Sequence, residues 1–126
     1  MTNSITIFED IKKINEYQAE YWSARQLAKV LDYADYRNFE TVLKKAKESC
    51  KNSNQTIRDH FVDVTDMIEV GKTATRVIKD ALLSRYACYL VMQNADPSKE
   101  IVALGQTYFA IQTRRQDVQD QGMEDK

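Results

Sequence analysis

Residues that interrupt regular structure are scarce here: the 126 positions hold 3 Gly and 1 Pro. That scarcity excludes a collagen-like or low-complexity chain, and a 43% hydrophobic content excludes a disordered one. Cysteine is scarce as well. Cys50 and Cys88 make no disulfide framework, and with the lone His60 they leave too few soft ligands for zinc. No metal or other cofactor is therefore expected. No apolar run approaches the roughly 20 residues that a membrane-spanning helix needs, so no membrane partner is expected either. Met1-Thr2-Asn3-Ser4 lacks the basic and apolar segments of a secretory signal. The expected setting is the reducing cytoplasm, with both thiols free.

The net charge of −1 argues against a strongly basic nucleic-acid binder, but the distribution softens that. From Gln116 onward there are four acids (Asp117, Asp120, Glu124, Asp125) and one base, Lys126. Without them the chain holds 17 basic and 15 acidic residues, a balance of +2. Between Ser23 and Lys51 there are seven bases and four acids, and from Lys72 to Arg85 four bases and one acid. The middle of the chain is locally basic.

Hydrophobic spacing gives the elements. Ile7, Phe8, Ile11 and Ile14 place a short amphipathic helix within Ser4–Glu16. Ser23 with Gln26 three residues on reads as a capping box, and Leu27, Val30 and Leu31 give the helix that follows a buried stripe. After a break at Asp32–Asp35, Tyr36, Phe39, Leu43, Ala46 and Cys50 define one face of a second helix. Thr56–Asp59 starts another short helix. Val62, Val64, Ile68 and Val70, then Thr73, Thr75 and Val77, near-alternate about Gly71 and predict a β-hairpin. Leu82–Met92 is apolar nearly all round and predicts a central core helix. Asp96 and Pro97 cap and open a last helix carrying Ile101, Leu104, Tyr108 and Ile111, which runs to about Gln116. The fold class is α+β: a mainly helical single domain over 1–116 with one small antiparallel β-hairpin. Residues 117–126 form an acidic polar tail or the start of a linker to a further region.

Catalysis finds little support. A nucleophile needs an adjacent base, and the only imidazole lies in a polar stretch. Cys88 sits in the most apolar segment, where a thiol is inert. Asp63 and Asp66, three apart on a strand, face opposite sides. Gly71-Lys72-Thr73 resembles only the end of a phosphate-binding loop and lacks the rest. The reading is therefore not an enzyme.

Binding is better supported. Ser23–Leu31 and Tyr36–Cys50 have helix-turn-helix spacing, in which the first turn of the second helix enters the major groove. That turn presents Arg37 and Asn38, whose paired hydrogen-bonding groups suit guanine and adenine edges. Lys44, Lys45 and Lys47 would lie over phosphates, joined by Arg25 and Lys29. A plain helical hairpin with a solvated basic face fits the same spacing. Lys72, Arg76, Lys79 and Arg85 surround the hairpin, either as a groove-entering ribbon or as a solvated edge that discourages aggregation. Gln112-Thr113-Arg114-Arg115-Gln116 either contacts DNA or complements a helix dipole. Tyr33 and Tyr36, beside the break, are the candidates for base stacking or partner contact.

Three blocks carry a resemblance. They are Trp22-Ser-Ala-Arg-Gln-Leu-Ala-Lys-Val-Leu with Asp35-Tyr36-Arg37-Asn38-Phe39, Leu83-Ser-Arg-Tyr-Ala-Cys-Tyr-Leu90 with Gln93-Asn94-Ala95-Asp96-Pro97, and Gln106-Thr-Tyr-Phe-Ala-Ile-Gln-Thr-Arg-Arg115. In this order they resemble the DNA damage-inducible protein D (DinD) family, over Phe8 to about Gln116. That family is similar here to the Bro-N domain of phage antirepressors and of viral and bacterial DNA-binding proteins. The resemblance implies a Bro-N-like fold, a non-catalytic role in a DNA-damage (SOS) response, DNA as partner and a longer parent protein. Ser84, Arg85 and Gln112 to Arg115 match its signatures. The family's usual Asn-Gly before Asp96 is Asn94-Ala95 in this chain. A rival reading remains open: a protein-interaction module acting on a recombination or repair protein, or on a repressor as antirepressors do.

Overall fold

The computed structural model describes residues 6–111. Its elements run α1 (Thr6–Ile11), β1 (Lys13–Ile14), β2 (Glu20–Ser23), α2 (Ala24–Val30), α3 (Tyr36–Asn52), α4 (Ile57–His60), β3 (Phe61–Val70), β4 (Ala74–Leu83) and α5 (Arg85–Asn94). A sixth helix, α6, is described over 100–111. The single antiparallel sheet has the order β1-β2-β4-β3.

The α+β class holds, and the sheet is larger than a hairpin. β1 and β2 join through a turn that carried no glycine signal. Gln18 takes φ +65 there, and Asn15 Oδ1 accepts the Tyr17 and Ala19 N–H groups at 2.8 and 3.0 Å. The segment Leu82–Met92 also divides. Leu82 and Leu83 end β4, paired with Ser23 and Trp22 on one side and with Val62 and Phe61 on the other. Ser84 then caps α5, its Oγ accepting the Ala87 N–H at 3.0 Å. Apolar character alone does not separate a buried strand end from a buried helix, whereas a capping serine does.

The core gathers where the helices meet the root of the sheet. Fully buried Trp22 donates Nε1–H to the Phe8 carbonyl at 2.9 Å and stands edge-on to Phe109 at 5.1 Å. Phe8 stacks on Tyr108 at 5.4 Å. Burying each such ring contributes roughly 1.5–3 kcal/mol. α6 faces inward through Val102, Gly105, Tyr108 and Phe109, while Ile111 is exposed. Tyr108 keeps its expected inward place and Ile101 packs at the core's margin, while Val102, Gly105 and Phe109 replace Leu104 and Ile111. Asp96 caps a turn through Ser98, Ala95 stays extended with no left-handed conformation, and the regular helix begins at 100.

Only the root of the β3–β4 hairpin belongs to this core. Phe61, Ala81 and Leu83 are buried, while positions 65–77 are exposed. The register runs Phe61↔Leu83 to Val70↔Ala74, with Gly71 at φ +73 in the turn, where glycine meets no steric penalty. Ten residues per strand make an arm about 33 Å long.

Candidate nucleic-acid interface

The helix pair read from the sequence exists. Ser23 caps α2 by accepting the Gln26 N–H at 3.3 Å. The reciprocal half of a capping box is absent, because the Gln26 side chain instead accepts from Lys13 Nζ at 2.7 Å. Asp32 bends the chain with φ +64, and Asp35 caps α3 by accepting the Arg37 N–H at 2.9 Å.

α3 is two-faced. Phe39, Val42, Leu43, Ala46 and Cys50 are buried on one side. The opposite side exposes Arg37, Asn38, Thr41, Lys44, Lys45 and Glu48. Thr41 and Lys51 share that outer stripe by helical spacing and were missed in the sequence reading; their three- and four-residue intervals from Arg37 are the signal for them. The Arg37 side chain is 85% exposed and folds back on Asp35, with Nη2 2.9 Å from Oδ2. This contact lowers the Asp35 carboxyl below its ordinary range and raises the guanidinium. An ion pair so open to water is weak, so Arg37 is released at little cost.

The other candidates divide. Lys29 is exposed at the outer side of α2. Arg25 is engaged within the fold: its Nε donates to the Lys79 carbonyl at 2.6 Å and its guanidinium lies 4.2 Å over the Tyr36 ring. Tyr36 is half-buried, and desolvation pushes its hydroxyl pKa up to about 12. Tyr33 carries Lys99 Nζ 4.0 Å over its ring and meets Phe39 edge-on. Both rings therefore already have partners on one face. Arg85 is engaged too, by Glu20, which also pairs with Lys12 at 3.0 Å. Lys72 lies in the arm's turn and Arg76 on β4, both exposed. Arg114 and Arg115 lie outside the described residues, as do Gln112, Thr113, Gln116 and the 116/117 boundary.

Three open clefts flank the arm's root. One, of about 920 Å³, lies between α2 and the arm and includes Arg25, Lys29, Tyr36, Ile68, Arg76 and Ile78. Another, of about 690 Å³, lies between α3 and the arm and mixes Lys44, Lys47 and Lys79 with Glu40, Asp63 and Asp80. A third, of about 290 Å³, is lined by Glu20, Asp59, His60 and Ser84. His60 Nδ1 lies 2.7 Å from Ser84 Oγ, which also accepts the Ala87 N–H at the start of α5. Burial raises the Cys88 thiol well above its ordinary value. Among the described residues no cluster of His, Cys, Asp or Glu could hold a metal, and no helix is long and apolar enough to cross a membrane.

A family model described as the BRO family, N-terminal domain (Bro-N), matches residues 10–110. Over 113 residues the chain is 60% identical to DNA damage-inducible protein D of Escherichia coli strain K12, covering 90% of this chain and 41% of that protein. The chain thus spans about two fifths of the length of this curated relative. No solved structure matches.

Proposed function

Because this chain belongs to the BRO family through its N-terminal domain, we propose that it is a non-catalytic DNA-binding module of the cytoplasmic DNA-damage (SOS) response. The observation that carries the reading is the two-faced α3. Its inner side is core, and its outer side offers Arg37, Asn38, Lys44 and Lys45, whose side chains make no hydrogen bond or ion pair among the described residues beyond that of Arg37 with Asp35. Lys29 on the preceding helix extends that face. Arg37 and Asn38, in the first turn, suit base edges, and the lysines suit phosphates.

Phosphate contacts would dominate affinity, so binding weakens steeply with salt. The test is fluorescence anisotropy with labelled DNA at about 50 and 200 mM salt. Wild type should bind and weaken with salt, and Lys44→Glu with Lys45→Glu should abolish binding at the higher salt. Absence of binding at low salt would overturn the reading. A second reading is a contact with a recombination or repair protein, or with a repressor. The near-neutral net charge of −1 favours it, and a shallow salt dependence would distinguish it.

A further inference from the structure

The exposed apolar side chains of the domain are concentrated on the arm. Val62, Met67, Ile68, Val70 and Val77 all lie there, at 45, 62, 40, 47 and 60% exposure. Met67 and Val77 form one rung on one face, while Val62, Ile68 and Val70 lie on the other, which is apolar over most of its length. Its rungs are Val62/Leu82, Val64/Asp80, Asp66/Ile78, Ile68/Arg76 and Val70/Ala74. Distal to the root, only Asp66 and Arg76 interrupt it. Neither belongs to an ion pair among the described residues, and Asp66 Oδ1 accepts only the neighbouring Met67 N–H. The outer edge of β3 carries Asp63, Asp66 and Glu69, so two copies joined there would set acid near acid. Edge pairing between copies is disfavoured, whereas face packing is not.

We infer that two copies of this chain pack their arms face to face, antiparallel, about a two-fold axis crossing between the Asp66/Ile78 and Ile68/Arg76 rungs. The apolar face is self-complementary about that axis. About this axis each β3 lies over the other β3, so Asp66 of each copy stands diagonally across from Arg76 of the other, and the contact occurs twice by symmetry. Val64 faces Val70 of the other copy, and Ile68 and Ile78 close the centre. Packed sheets lie about 10 Å apart, a span that these side chains fill. The antiparallel arrangement keeps the two bodies apart. It lays the tip of each arm, Val70 to Ala74, over the root of the other, where the cleft beside α2 stands open. The dimer carries two α3 faces and leaves both clear of the arms.

Charge exchange tests this with the chain intact. Sedimentation velocity of wild type across concentrations should show a reversible dimer at tens of micromolar. Asp66→Arg sets Arg against Arg76 of the other copy, and Arg76→Asp sets acid against acid. Each single variant should weaken association by about tenfold or more while circular dichroism stays that of the folded domain. The double variant restores opposite charges and should dimerise again. Ile68→Lys, at the centre of the face, should stay monomeric. A monomeric wild type overturns the inference, as do single variants that dimerise like wild type or a folded double variant that stays monomeric.

Discussion

Ser23 Oγ donates to Asp80 Oδ2 at 2.5 Å while accepting the Gln26 N–H, so one hydroxyl both caps α2 and ties down the root of the arm. The other oxygen of Asp80 accepts the N–H groups of Arg25 and Ala81 at 3.0 and 2.8 Å. A single carboxylate thus joins the first turn of the helix pair to β4.

Asp80→Ala removes all three contacts and leaves the Arg25 N–H at a helix start without its side-chain acceptor. The expected loss is about 2 kcal/mol, read from urea unfolding. Unchanged stability would show that the tie is incidental.

Stability and DNA binding should separate between Arg85 and Lys44. Arg85→Ala leaves Glu20 with Lys12 alone and should cost about 1 kcal/mol, a figure discounted for the partial exposure of the pair. Its DNA affinity should stay at the wild-type level. Lys44→Ala should leave unfolding unchanged and lower the salt slope of DNA binding by about 1.

Gly105→Ala should destabilise in spite of the better helix propensity. The added Cβ would lie 2.6 Å from Met92 Sδ and 3.0 Å from Phe8 Cζ, both buried, and Phe8 is held by Tyr108 and Phe109. Overpacking of this kind costs about 1–3 kcal/mol, against a propensity gain of about 1. Thermal unfolding should show a lower Tm.

His60 gives the fold a pH dependence. Burial holds its pKa below the ordinary 6.5, opposed by the charge of Asp59. The unfolded chain therefore takes up the proton first as the pH falls. The stability contributed by neutral His60 is complete above about pH 6.5 and declines below it. Unfolding measured from about pH 8 to about pH 5 should show this slope, and His60→Gln should remove it.

Most of the helical framework is legible in the sequence, because capping residues and apolar spacing are local signals. Ser23 and Gly71 each mark an element where the structure has one. What is not legible depends on partners distant in the chain. β2 is four residues long and is defined by Leu82 and Leu83, about sixty positions away. The same pairing turns the start of an apolar run into strand. Among the candidate cations, sequence placed Arg25 and Arg85 beside Lys44 and Lys45. Only tertiary contacts reveal that the first two are engaged by Lys79, Tyr36 and Glu20.

The arm meets the body through its buried root, two rungs with β2, the Asp80 carboxylate and the Arg25–Lys79 contact, while positions 65–77 stand exposed. A beam clamped at one end is a lever. A load at the tip acts over about 20 Å, the six steps from Val64 to Val70, and arrives as torque at the clamp. That clamp is also the cap of α2, so whatever grips the tip strains the first turn of the helix leading into α3.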